Sequence, residues 1–121
     1  MSATLEAAPT AVVQTKGGVV PYLTADGAMK AADFYRCAFG AEVAAAHPVD
    51  DQGRTMHIHL YINGGSVMLT DGYPEHGHLA HAPAGFNLTL QVDDIDAWWK
   101  RAIDAGAVSV TPVADMFWGD R

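Results

Sequence analysis

The clearest pattern along the chain is the strict alternation from Thr55 to Asn63. Met56, Ile58, Leu60 and Ile62 fall on one side of an extended segment and His57, His59, Tyr61 and Asn63 on the other. A period of two marks a strand with one apolar and one polar face. Asn63-Gly64-Gly65 supplies a hairpin turn, and Ser66 to Asp71 returns with Val67 and Leu69 alternating against Ser66, Met68 and Thr70. Upstream, Val19 to Leu23 is a short β-type run closed by Asp26-Gly27. Ala28, Ala31, Ala32, Tyr35, Ala38 and Phe39 then recur at helical spacing, with Asp26 as the expected N-cap and Gly40 at the left-handed C-cap. Glu42 to Val49 predicts a strand and Asp50 to Gly53 a polar turn. This half reads strand, helix, then three strands.

Tyr73 to Gly85 is rich in Pro, Gly and His, has no periodicity, and reads as a loop. Phe86 to Val92 then predicts a strand, with Leu88, Leu90 and Val92 on one face and Asn87, Thr89 and Gln91 on the other. Asp93 and Asp94 compete to cap a second helix, whose buried stripe is Ile95, Trp98 or Trp99, Ala102 and Ile103. Gly106 stops it, and Ala107 to Val113 predicts a returning strand. The series Leu23, Asp26, Phe39-Gly40-Ala41 is thus repeated by Leu90, Asp93, Ala105-Gly106-Ala107. Two strand-cap-helix-Gly-Ala series in one register point to an internal duplication. The implied organisation is a flexible lead at 1–18, a first module at 19–72, a linker loop at 73–85 and a second module at 86–121.

Composition narrows the partners. The chain has 121 residues, half of them hydrophobic, enough for one small core. Its formal charge of −7, with only seven Lys plus Arg, leaves no basic surface for nucleic acid or anionic lipid. No apolar run approaches the roughly 18 residues of a membrane span, and the N-terminus lacks the pattern of a signal peptide. One cysteine, Cys37, cannot form an intramolecular disulfide. Set on a helix beside aromatics, it is expected to be buried and inert. The expectation is a soluble, cytoplasmic protein.

Ala31-Ala32-Asp33-Phe34-Tyr35 followed by Phe39-Gly40-Ala41 resembles the vicinal oxygen chelate superfamily, which groups glyoxalases, bleomycin-resistance proteins and extradiol dioxygenases. Val92 to Ala97, Ala105-Gly106-Ala107 and the ending Met116-Phe117-Trp118-Gly119-Asp120-Arg121 are similar to its PhnB-like branch. The resemblance implies an α+β fold of paired βαβββ modules whose sheets enclose a cavity, and homodimer formation. In the family the Trp-Gly-Asp-Arg stretch is followed by two further strands. Here the sequence ends at Arg121, so the second module is expected to be incomplete, truncated after its βαβ part.

On this resemblance, Ile58, Leu60, Val67, Leu69, Leu88 and Leu90 face the helices. Tyr22, His57, His59, Tyr61, Met68, Thr70, Asn87, Thr89 and Gln91 line the cavity, roofed by Phe117 and Trp118. The family's metal-ligand positions fall on Val20 or Pro21, on Met68 and on Asn87, with the last beyond Arg121. Val and Pro cannot ligate and Met and Asn are poor ligands for hard or borderline divalent ions, so no cofactor is expected. A substitute divalent metal would have to use His57 and His59, which share a strand face, with Asp71 as third ligand. His57 is the candidate general acid or base, given its near-neutral pKa. His76, His78 and His81, with Glu75, would either bind a transition metal or close over the cavity, or form an ordinary polar loop. The implied function is binding of a small organic ligand between two modules without the usual metal. The alternative is a metal-dependent lyase, isomerase or dioxygenase.

Overall fold

The computed structural model describes residues 13–121. The order of elements is β1 (Tyr22–Ala25), α1 (Ala28–Phe39), β2 (Glu42–Ala46), β3 (Ile58–Ile62), β4 (Gly65–Asp71), a 3-10 turn at Pro74–His76 and α2 (Ile95–Asp104). The four strands form one sheet in the order β1-β4-β3-β2. β1 runs parallel to β4, and the other pairs are antiparallel. The hairpin lies where the turn residues place it: Ile62 pairs with Gly65, and Asn63 and Gly64 both take positive φ, as a two-residue turn matched to strand twist requires. The fold class is the α+β class that the alternation and the resemblance imply.

Alternation also fixes which side of the sheet is buried. Ile58, Leu60 and Leu69 are fully buried against Ala28 and Ala32 of α1, with Leu23, Val43, Ile62 and Val67 packed around them. Small alanines on the inner stripe let α1 sit close to the sheet. Gly40 ends the helix at φ 65°, and its N–H returns to the Arg36 carbonyl, a left-handed stop available to glycine without Cβ strain.

The cap at the other end of α1 is not Asp26. The N-cap is Gly27, itself left-handed, and it offers no side chain. The capping oxygen comes from a distant strand: Asp71 Oδ1 accepts from the Gly27 and Ala28 amides, each at 2.9 Å, while Oδ2 accepts from the Thr55 amide at 2.9 Å. Local sequence favours Asp26 because it immediately precedes the helix. The tertiary carboxylate prevails because it reaches three amides from a buried position. In the second helix the local rule holds, and Asp94 rather than Asp93 caps α2 through the Ala97 amide. The two N-caps, Gly27 and Asp94, keep the spacing of the internal repeat.

Three further expectations need correction. Residues 86–92 and 107–113 form no strand ladder among the described residues, because an alternating segment becomes a strand only when a neighbour satisfies its backbone. Met56 is not on the buried face: it precedes β3, where Asp71 bonds Thr55 out of the regular register, and it is 66 % exposed. Cys37 is exposed rather than buried, in a groove against Lys100 and Arg101 of α2. The helices are joined by Arg101, whose Nε donates to the Ala38 carbonyl at 3.0 Å and whose guanidinium lies over the Trp98 ring. No helix among the described residues is long and apolar enough to cross a membrane.

Candidate functional site

The polar face of the sheet is built by register. Tyr22 pairs with Met68, Met68 with His59, Tyr61 with Ser66 and Thr24 with Thr70. With His57 just ahead of β3, these side chains lie opposite α1, and they include Tyr22, His57, His59, Tyr61, Met68 and Thr70 together. The rings form a continuous row. Centroids are 5.6 Å apart for Tyr22 and His57, 5.4 Å for His47 and His57, 6.5 Å for His57 and His59, and 5.1 Å for His59 and Tyr61.

Two hydrogen-bonded pairs set the character of this face. Tyr22 Oη lies 2.8 Å from His57 Nδ1 and 3.4 Å from the Met56 carbonyl. With the phenol as donor to Nδ1, the neutral imidazole carries its proton on Nε2; with the phenol donating to the Met56 carbonyl, Nδ1–H donates to Oη. Burial holds the His57 pKa below the ordinary value, and the neighbouring His47 and His59 push it the same way. Burial also raises Tyr22, so its hydroxyl keeps the proton it donates. His59 is almost fully enclosed, with Nε2 2.7 Å from Ser66 Oγ, and burial lowers its pKa too.

The chain ahead of β1 covers that end of the row. Lys16 accepts from the Ser66 amide at 2.9 Å, its own N–H donates to Ser66 Oγ, and its ammonium lies 4.1 Å from the Tyr61 ring centre. Tyr61 Oη donates to the Gln14 carbonyl. The expected lead at 1–18 falls partly outside the described residues; from Gln14 onward these bonds fix its course.

At the opposite end, Met56, Thr70, Tyr73, His76 and His78 line a cavity of about 350 Å³. The loop at 73–78 is pinned there by Arg54, which grips both Glu75 oxygens at 3.0 and 2.7 Å, reaches Asp50 at 3.0 Å and stacks on Tyr73. The Glu75 carboxyl is pulled down to about 2 by this guanidinium. His78 Nε2 meets Thr24 Oγ1 at 3.2 Å. His81 lies apart, along the outer side of β1. Gly72 permits the close return of the loop, because a Cβ there would stand 2.9 Å from the Ala80 nitrogen.

A scan of family models matches residues 18–121 to the glyoxalase/bleomycin resistance protein/dioxygenase superfamily. The chain belongs to this superfamily. Among curated proteins, it is 38 % identical over 118 residues to uncharacterized proteins Rv0887c and MT0910 of two Mycobacterium tuberculosis strains. Each match covers 93 % of this chain and 69 % of the relative. The uncharacterized protein Mb0911c of Mycobacterium bovis is 38 % identical over 115 residues, covering 90 % of this chain and 75 % of its own. Among solved structures, TioX from Micromonospora sp. ML1 superposes with a TM-score of 0.62 at 26 % identity, covering 85 % of this chain and 83 % of that one.

Many members of the glyoxalase superfamily carry a divalent metal. The residues here do not fit one. Met68, at an expected ligand position, is flanked in register by Tyr22 and His59 rather than by a carboxylate. Asp71, the third ligand of the substitute set with His57 and His59, has both oxygens committed to backbone amides. Among the described residues no three His, Cys, Asp or Glu side chains converge on a point where an ion would sit.

The remaining expected pocket residues are not gathered on the polar face. Asn87 shares with Tyr22 a cavity along the outer edge of β1. Thr89 lines a cavity on the helix side of the sheet, and the Gln91 carbonyl accepts from Asn63. Phe117 is 96 % exposed and packs edge-to-face on Trp118, whose indole donates to Asp120 in the same turn. The sequence reading missed Tyr73 and Met56 as a wall of the face, and gave closure over the cavity as one of three alternatives for His76 and His78. Pro74 and the surrounding glycines marked a loop, but no local signal gave its direction.

Proposed function

We propose that the protein binds a small organic molecule on the polar face of its sheet, with the Tyr22–His57 pair orienting it, and that it does so without a metal. The observation that carries this reading is the hydrogen bond between Tyr22 Oη and His57 Nδ1 within a row of aromatic rings. With the phenol donating, the imidazole presents an Nε2–H donor beside apolar Met68 and a cavity walled by Tyr73 and His78. Shape then comes from rings and thioethers, and orientation from few polar atoms, which is the usual economy of a small-molecule site. His57 is also the group best suited to move a proton, because its depressed pKa keeps it a base at neutral pH.

The ending Met116 to Arg121 supports placing the chain in the PhnB-like branch. Exposed Val108 and Val110, in a segment with no strand partner among the described residues, support a homodimer as the working assembly. The metal-dependent reading is the weaker one, because its third ligand is Asp71.

The test is a thermal-shift panel of small aromatic and polar organic molecules on untagged, chelator-treated protein. A hit should raise Tm in the absence of added metal, and His57→Ala and Tyr22→Phe should each reduce the rise. A rise that appears only with a divalent metal, and vanishes in His57→Ala and His59→Ala, would establish the metal-dependent reading instead.

A further inference from the structure

On its β1 side, β4 is paired by two separate stretches of chain. The Met68 amide donates to the Pro21 carbonyl at 2.9 Å, at the entry to β1, and the Ser66 amide donates to the Lys16 carbonyl at 2.9 Å. Between these two bonds β4 advances from residue 66 to 68 while the partner chain advances from 16 to 21. The surplus, Gly17 to Val20, leaves the sheet as an exposed bend in which Gly17 takes φ 99°. A left-handed glycine followed by a second glycine is a backbone that turns without Cβ strain. Residues 14–16 are therefore joined to β1 only through a pliable link.

These three residues conceal more than they bury. Gln14 to Gly18 are all exposed, and none of them joins the core. Polar contacts alone hold them: the bond from Ser66, the Lys16 N–H on Ser66 Oγ at 2.8 Å, the Tyr61 hydroxyl on the Gln14 carbonyl at 2.6 Å, and the Lys16 ammonium over the Tyr61 ring. Behind those contacts Ser66 and His59 are only 4 % and 3 % exposed, with Oγ and Nε2 2.7 Å apart. Solvent-exposed backbone bonds without apolar burial belong to the segments that open locally at least cost. β1 differs, because its Leu23 packs against the core.

We propose that residues 14–16 are a strap, hinged at Gly17-Gly18, whose release uncovers His59 and Ser66 and so lengthens the polar face. Closed, the strap keeps both side chains from any ligand. Open, it adds a second imidazole and a hydroxyl within reach of a longer molecule. The regulatory role rests on ligand binding at the polar face; the opening itself does not.

Hydrogen exchange of the full chain, resolved at single amides by NMR, tests the opening. Protection at Ser66 should be at least about tenfold lower than at Met68, and insensitive to low urea because the opening exposes little surface. Tyr61→Phe removes the Gln14 bond and keeps the ring. It should speed exchange at Ser66 about fivefold, the size of one hydrogen bond, and leave Met68 unchanged. Diethylpyrocarbonate acylates accessible imidazoles. Its rate at His59, followed by peptide mass analysis, should rise by the same factor in Tyr61→Phe while the rate at His57 stays fixed. Equal protection and equal urea dependence at Ser66 and Met68 would make the strap part of the cooperative sheet and overturn the proposal. Faster Ser66 exchange with no change in His59 acylation would overturn it as well, because the strap would not be what covers His59. A strap that opens as described, in a protein whose Tm no compound of the thermal-shift panel moves, overturns the polar-face reading alone.

Discussion

Replacing Asp71 by asparagine exchanges one carboxylate oxygen for an amide NH2 at a site only 4 % exposed. In the wild-type chain Oδ1 holds the first two amides of the α1 cap and Oδ2 holds the Thr55 amide, all at 2.9 Å. Asparagine can retain one set of acceptor contacts, but its NH2 must then face an N–H. If the amide oxygen stays on the helix, the Thr55 amide loses its partner and meets a donor. The negative charge beside the helix N-terminus is also lost, a further contribution of up to about 1 kcal/mol. An unsatisfied buried amide costs roughly 1–3 kcal/mol, so the expected destabilisation is about 2–3 kcal/mol for Asp71→Asn. Asp71→Ala abandons all three amides, and about 3–5 kcal/mol is expected, less than a simple sum because the three bonds share one carboxylate. Urea denaturation followed by circular dichroism measures this as a shift of midpoint at constant slope. A change below about 0.5 kcal/mol for Asp71→Ala would refute the assignment of Asp71 as the cap, since a surface substitution behaves that way.

The pH dependence follows from the histidines. His57 and His59 both have folded pKa values below their unfolded ones, so the unfolded chain binds more protons. Their contribution is therefore present above the unfolded value of roughly 6.5 and is lost as pH falls below it. Tm should drop between about pH 7.5 and about pH 5.5, and His57→Gln should flatten that slope; an unchanged slope in the variant would contradict the half-buried, neutral state of His57. Glu75→Gln breaks the bidentate grip of Arg54, and hydrogen exchange should quicken at Tyr73 to His78 while β3 and β4 are unaffected. Arg101→Ala removes both the Ala38 cap and the Trp98 stack, and a loss of about 1–2 kcal/mol is expected, with faster exchange throughout α2.

What the sequence disclosed was governed by short-range periodicity. The alternation of residues 57–62 and 66–71 gave the two faces correctly, and with them the grouping of Tyr22, His57, His59, Tyr61, Met68 and Thr70. Both helices and the Gly40 stop were likewise legible from spacing and turn residues, although the stripe expected to be buried on α2 holds no fully buried residue. The errors arose where long-range contacts override local preference. Asp26 carries the local signature of a cap, but nothing near it reports that Asp71 lies across the helix end. Residues 86–92 have the composition of a strand, but pairing requires a neighbour that periodicity does not supply. The wall formed by Tyr73, His76 and His78 depends on Arg54 reaching Glu75 across 21 positions, a contact with no pattern in the linear chain.

The central claim is that ligand binding centres on the Tyr22–His57 side of the sheet and needs no metal. Its most direct measurement combines elemental analysis with methyl spectra of methionine-labelled, untagged protein, recorded with a thermal-shift hit and after chelation. The account predicts no stoichiometric Zn, Ni, Mn or Fe, and ligand-induced shifts at Met56 and Met68 that persist in chelator and shrink in His57→Ala. One equivalent of tightly held metal whose removal abolishes the Met68 shift would contradict it.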